Sequence, residues 1–244
     1  SVTGYSAYDF VDGADVDWLP VSFIARDDDQ DFNQKSQEIR ITSPAGERFE
    51  YIGGVYYEEQ EMNFDRRVTI DASFGGLLGK ILPVESLFTA LSGGAWNAAQ
   101  SARDHTYNLE TKSFALFGQG TFNVTDDLRV TFGLRYTEED KDVRSVQFLS
   151  DSITGIGTPS SNVIGANIIG AAFGAYARDL NESRSTDKWI PSANVQWDIS
   201  EDSMLYFTVS EGFKSGGFSA ADNGTPKDID ARACSNTCTV AHDD

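Results

Sequence analysis

Apolar and polar residues alternate strictly along several segments of this chain. The clearest segment is TDDLRVTFGLRYTEED (125–140). Its apolar row is Leu128, Val130, Phe132, Leu134 and Tyr136, and the residues between them are Arg129, Thr131, Gly133, Arg135 and Thr137. Because successive side chains of a β-strand point to opposite faces, this pattern predicts a strand. It leaves open whether the apolar row faces a protein core or lipid.

Six further segments show the same alternation, more or less cleanly, which predicts seven or eight strands in an all-β chain. They are 2–11, 37–43, 48–60, 113–124, 189–200 and 203–213. Pro191 interrupts one of them, and a proline inside a strand predicts an edge, a strand start or a bulge at that point.

The connections between these segments are of two kinds that alternate along the chain. Three are tight and rich in turn residues, namely 43–47, 125–127 and 200–202. The others are long, about 50 residues around 60–110 and about 40 around 145–186. Such loops are uncommon inside compact soluble domains, whereas transmembrane barrels combine short turns at one end with long loops at the other. We therefore predict an antiparallel transmembrane β-barrel with long extracellular loops, the alternative being a secreted β-sandwich for adhesion.

A membrane barrel assigns the two rows to two environments, with apolar residues facing lipid and polar residues lining the lumen. The predicted lipid-facing residues are Leu128, Val130, Phe132, Leu134, Leu205, Phe207 and Val209, and the predicted lumen-facing residues are Gln119, Arg129, Arg135, Asn194 and Gln196. Of the intervening segments, 74–100 has a pattern compatible with short loop helices, and the acidic run RDDDQD (26–31) is expected to be a solvated loop.

Composition narrows the class of protein further. The 244 residues include 19 basic and 38 acidic side chains, a net charge of −19, which argues against a nucleic-acid partner. Aromatic residues reach 12% and favour strands with interfacial belts. No apolar run is long enough for a membrane-spanning helix; the closest is 163–177.

No motif in the chain indicates catalysis, so we expect neither an enzyme nor a cofactor. Cys234 and Cys238 are the only cysteines, and with only His105 and His242 beside them a metal site is not expected. A small disulfide between the two cysteines is preferred over free thiols.

Three stretches resemble strand pairs of TonB-dependent outer-membrane receptors. They are SQEIRITSP with RFEYIGGVYYEEQE (36–61), SFALFGQGTFNVTDDLRVTFGLRYTEEDKD (113–142) and WIPSANVQWDISEDSMLYFTVSEGFKSGGF (189–218), of which SEGFKSGGF is the most specific. SVTGYSAYDF (1–10) is similar to an early barrel strand. Together the matching segments cover about half of the residues.

The resemblance implies a receptor in the outer membrane of a Gram-negative bacterium that imports a scarce nutrient, most often a ferric siderophore, through a plugged barrel of about 22 strands. Its partners would be outer-membrane lipid and lipopolysaccharide, the nutrient, and the TonB complex acting through a plug. Residues 1–244 would form part of the barrel domain, about seven or eight strands, with the plug and the C-terminal strands absent. A passive porin is the alternative that shares the barrel.

Within SEGFKSGGF, the glycines are expected to let a strand twist as it leaves the membrane, with Phe213 and Phe218 near the interface. Lys214 is expected to meet either a lipopolysaccharide phosphate or the cargo. Arg129 and Arg135 are expected to pair with acidic groups of a plug or of neighbouring strands.

Overall fold

One antiparallel sheet accounts for nearly all of the described part of the chain. The computed structural model describes residues 1–17, 20, 23–71, 100–151, 155–156 and 178–220. Its strands are β1 (Val2–Asp15), β2 (Ile24–Thr42), β3 (Phe49–Asp71), β4 (Gln100–Asn123), β5 (Leu128–Asp151), β6 (Gly155–Ile156), β7 (Arg178–Ser200) and β8 (Ser203–Ser210). They pair in the order β1-β2-β3-β4-β5-β7-β8, and the short β6 pairs with β5. The predicted antiparallel all-β fold and the strand number are confirmed.

The three tight connections lie at one end of the sheet and are closed by local hydrogen bonds. Gly46 adopts a φ of 85° in the first, a conformation that favours glycine, and its amide donates to the Glu50 carboxylate at 2.7 Å. In the second, the Thr125 hydroxyl accepts the amide of Leu128 at 3.0 Å. These side-chain bonds replace the ladder where the chain reverses direction. This end of the sheet is called the tight-turn end below.

The opposite end carries the long connections, but the strands extend much further towards it than predicted. β3 and β4 leave only 72–99 between them, and β5 and β7 leave only 152–177, which includes β6. The strands continue because their backbone ladders stay in register after the apolar pattern has ended. The segment 74–99 lies outside the described residues, as do Cys234 and Cys238, so the loop helices and the disulfide remain predictions. Within the described ranges, no helix is long and apolar enough to cross a bilayer.

The acidic run 26–31 is not a solvated loop, and that expectation was wrong. All six residues lie in β2 and pair with both β1 and β3. The alternation of the strand separates their charges, because Asp28 points to the same face as Arg26 and Arg66 and forms ion pairs with both. A dense run of like charges is tolerated in a strand when the two faces have different surroundings.

The two faces of the sheet differ in burial, and we name them by β5. The outer face is the one to which Leu128, Val130, Phe132 and Leu134 belong, and the inner face is that of Arg129, Thr131, Gly133 and Arg135. The buried residues cluster on the inner face towards the long-connection end, around Phe64, Tyr107 and Val143. No second sheet faces the outer face in the described part of the chain, so the sandwich alternative has no support.

Candidate functional site

The outer face carries a band without a single charged residue across the described strands β2–β8. Register relations place all seven predicted lipid-facing residues on this face, together with their neighbours on β2, β3 and β4. Phe132 and Phe207 expose 65% and 69% of their surface. A soluble core cannot be built from side chains this exposed, since burying apolar surface is what stabilises such a core.

Aromatic side chains lie at both limits of this band. Tyr136 packs on Trp189 with ring centroids 4.9 Å apart, and Tyr57 pairs with Phe114 in the register beside them. The tight-turn limit has Phe49, Phe122 and Trp197. Along β5 the band runs from Leu128 to Tyr136, which is near the roughly 9–11 residues that carry a tilted strand across a bilayer. Two aromatic girdles around an apolar band are the exterior pattern of a membrane barrel.

Charges are sorted between the two faces beyond the band. Among the described strand side chains, the outer face carries fifteen acids and four bases, and the inner face carries eight acids and nine bases. The inner-face bases are Arg26, Arg40, Arg66, Arg103, Arg129, Arg135, Lys141, Arg184 and Lys188. The inner wall is therefore close to neutral although the chain has a net charge of −19.

A row of polar side chains crosses the inner face in the half near the long connections. Asp28, Arg66, His105 and Gln147 are successive register partners on β2 to β5. Arg66 donates two bonds of 2.7 Å to the Asp28 carboxylate, and Arg26 lies 3.2 Å from the same group. Asp28, His105 and Gln147 are buried. Fixed bidentate pairs of this kind tie neighbouring strands together more firmly than exposed pairs do.

The predicted lumen-facing residues all lie on the inner face. Arg129 forms an ion pair with Asp198 on β7, whereas the Arg135 guanidinium bonds the Thr137 hydroxyl at 2.9 Å. Asn194 bonds Thr208 at 2.7 Å. At the tight-turn end, Arg129 and Gln196 border an open depression of about 860 Å³. Its lining includes Glu50, Thr121, Arg129, Thr131 and Gln196.

Residues 211–220, which we call the strap, leave the sheet after β8 and cross the inner face. Ser192 and Ser210 form the last register pair between β7 and β8, and the Glu211 amide still donates to the Pro191 carbonyl at 3.2 Å. Pro191 has no N–H with which to return that bond, so the ladder loses half of its bonding there. Pro191 thus lies inside β7 without a bulge, and it marks the point where β8 ends.

The strap is bound to the wall by a compact polar dock on β5. The Lys141 ammonium contacts the Glu139 carboxylate at 2.5 Å, the Ser215 hydroxyl at 2.9 Å and the Gly216 carbonyl at 2.8 Å. Ser215 in turn donates to Glu139. Burial raises the pKa of the Glu139 carboxyl, but the hydrogen bonds from Lys141 and Ser215 outweigh it and the pKa lies below its ordinary value. Glu139 is therefore an ionised acceptor at neutral pH.

An apolar contact completes the attachment of the strap. Phe218 and Ala220 pack against the buried cluster of Phe64, Tyr107 and Val143. The Tyr107 hydroxyl donates to the Phe218 carbonyl at 3.2 Å, and burial raises the pKa of Tyr107 to about 12. The expectation that Phe218 lies at the lipid interface was therefore wrong, because the chain turns inward before reaching it.

Comparison with known proteins gives this sheet its family. The model of the TonB-dependent receptor-like β-barrel matches residues 2–238. The chain belongs to this family. A similar solved structure is the crystal structure of the ferric yersiniabactin uptake receptor FyuA from Yersinia pestis, with 11% identity and a TM-score of 0.61. The match covers 91% of this chain and 27% of that one, so this receptor chain has the fold of a sector of such a barrel wall.

Sequence reasoning missed two features of this TonB-dependent receptor chain, the polar row and the dock of the strap. Glu139 and Lys141 belong to the stretch TEEDKD, where both alternating rows are polar. Hydropathy alone therefore does not show to which face of the sheet each of these residues belongs. Glu139 and Lys141 are assigned to the inner face only by continuing the alternation of β5 from its apolar row, which ends at Tyr136, three and five residues earlier. Among the described residues, no group of three or more metal-ligating side chains comes together.

Proposed function

We propose that the protein to which this chain belongs is an outer-membrane receptor that imports a ferric siderophore. The observation that carries the proposal is the uncharged outer band between two aromatic rows, in a chain of the TonB-dependent receptor family. A similar fold is found in FyuA, whose described role is uptake of ferric yersiniabactin. The outer face would contact acyl chains, and the inner face would line a lumen.

The inner face supports the assignment of a plugged lumen rather than an open pore. The depression of about 860 Å³ at the tight-turn end is lined by acidic, basic and neutral polar groups, a surface suited to a polar plug. The TonB complex would then act on the plug from the tight-turn side, which would be periplasmic. The long connections would lie outside the cell, where the cargo first binds.

Import can be tested with the full-length receptor in a bacterial strain that lacks its own ferric siderophore receptors. The strain is grown under iron limitation with ferric siderophores, haem or cobalamin supplied one at a time, with and without a functional TonB. We expect one ferric siderophore to restore growth only when both the receptor and TonB are present. Growth that persists without TonB would instead support a passive porin, and growth on cobalamin or haem alone would refute the iron-siderophore assignment.

A further inference from the structure

The strap places a lysine on the inner face that no other described group uses. We propose that Lys214 contacts an anionic group of the cargo and thereby sets which cargo charge the receptor accepts, with Lys141 as the residue that positions it. This inference rests on the import function proposed above. The sequence left two expected partners for Lys214, a lipopolysaccharide phosphate or the cargo, and this inference selects the cargo.

The location of Lys214 excludes the lipopolysaccharide alternative. Three residues before it, the Glu211 carboxylate lies 3.2 Å from the ammonium of Lys188 on the inner face, and directly after it Ser215 is bonded to Glu139 and Lys141 on the same face. Both anchors hold the intervening chain on the inner side of the sheet. Lipid headgroups can reach only the outer face of a barrel wall, so the sheet itself separates them from Lys214.

Lys214 is also free to bind. It is exposed, and no hydrogen bond or ion pair joins it to another group in the described ranges. The nearest acid of the strap, Glu211, is engaged by Lys188 at 3.2 Å. By contrast, each of the nine inner-face bases of the strands has a polar partner. The three N–H donors of the Lys214 ammonium are therefore available to a ligand.

The dock fixes the backbone directly after this lysine to the wall. The Lys141 ammonium has three donors, and Glu139, Ser215 and Gly216 each receive a contact from it. Gly216 is buried, and Phe218 is fastened by Tyr107. A binding group held in place before the ligand arrives avoids part of the entropic cost of ordering it. Loss of the dock should therefore weaken the contact without removing the lysine.

The test measures uptake of two radioactive iron complexes by cells that produce the full-length receptor. One probe is an anionic ferric tricatecholate and the other a neutral ferric trihydroxamate, and KM and maximal rate are determined for each. The variants are Lys214→Gln, Lys214→Glu, Lys141→Met and Lys141→Arg. The control is Lys112→Gln, which changes an exposed outer-face lysine whose contact to Glu59 is 4.0 Å long.

We expect Lys214→Gln to raise the KM for the anionic probe by about tenfold, which corresponds to 1.4 kcal/mol, and Lys214→Glu to raise it further. The KM for the neutral probe should stay unchanged, as should both values in Lys112→Gln. Lys141→Met should raise the KM for the anionic probe by less than Lys214→Gln does, and Lys141→Arg should leave that KM near the wild-type value. Added salt should shrink every one of these differences.

Three outcomes would overturn the inference. The first is an anionic KM that Lys214→Glu leaves unchanged at equal receptor levels. The second is an equal loss of both probes, which would indicate that Lys214 binds an acidic residue of the plug. The third is a wild-type receptor that transports only the neutral probe. If the wild-type receptor transports neither probe while other nutrients restore growth, the proposed iron function itself fails and this inference fails with it.

Discussion

Replacing one outer-face side chain by arginine tests the assignment of the faces directly. Phe132 lies at the middle of the apolar stretch of β5, four residues from Leu128 and four from Tyr136, and it is 65% exposed. If this stretch crosses a bilayer, Phe132→Arg places a cation near the midplane. Arginine there costs about 2–4 kcal/mol in transmembrane barrels, which is about 30- to 700-fold in the folding equilibrium.

The matched control changes the other face at the same depth. Gln119 pairs in register with Gly133, the residue next to Phe132, and it is exposed on the inner face with no hydrogen bond in the described part of the chain. Gln119→Arg adds the same charge at the same level of the sheet. Because a lumen is polar, this variant should cost less than about 1 kcal/mol.

The assay is reversible folding of the full-length receptor into lipid vesicles, followed by the mobility shift between folded and unfolded barrel on gels. Denaturant titration gives the free energy of unfolding for the wild type and for each variant. The reasoning is refuted if Gln119→Arg is the more damaging change, or if Phe132→Arg folds as well as the wild type. Equal losses would indicate that both faces are enclosed by protein.

Three further predictions concern other parts of the wall. Asp28→Asn should lower the free energy of unfolding by about 1.5–3 kcal/mol in the same titration, because it removes the buried carboxylate that Arg66 and Arg26 share. Asp140→Asn at an exposed outer position should change little. Gly54→Ala should destabilise by about 1–3 kcal/mol, since its added Cβ would lie 2.6 Å from a backbone carbonyl oxygen, while Gly53→Ala, with its closest atom at 3.5 Å, should be tolerated. Hydrogen exchange should show the strap protected at neutral pH and released only as the pH falls through the lowered pKa of Glu139. The reason is that a carboxylate whose pKa is lowered in the folded state stabilises that state only while it is ionised. Release of the strap already above the ordinary glutamate pKa of 4.5 would contradict this prediction.

The half of the sheet near the tight turns could be predicted from the sequence because one row there is apolar and the other is not. Phe132 and Phe207 are each separated from the next apolar residues of their row by single residues, and that period identifies both strand and face. The other half gives no such signal. From Glu138 to Asp142 both rows of β5 are polar, and the apolar residues after them do not resume a regular alternation, so hydropathy cannot distinguish a continuing strand from a loop. The extra length of the strands follows from backbone pairing, which no side-chain pattern records.

The strap was beyond prediction for a different reason. Its glycines indicate that the chain can bend, but not towards which face. The direction depends on a proline twenty residues before Glu211, whose missing N–H ends the pairing of β8, and on Lys141, which is more distant still. Interactions between residues so far apart in sequence become visible only once the register is known.

The net charge of the chain is a poor guide to the charge that a cargo would meet. Most acids of the strands lie on the outer face, where hydrogen bonding to the Asp9 carboxyl even raises the pKa of Asp31. The inner wall has slightly more bases than acids, and the strap adds Lys214 and Glu211 to that side, where Glu211 pairs with Lys188. Electrostatic attraction falls off within about 8–10 Å at physiological salt, so a ligand in the lumen responds to the wall beside it and not to the outer surface. An overall charge of −19 is therefore compatible with the anionic cargo proposed above.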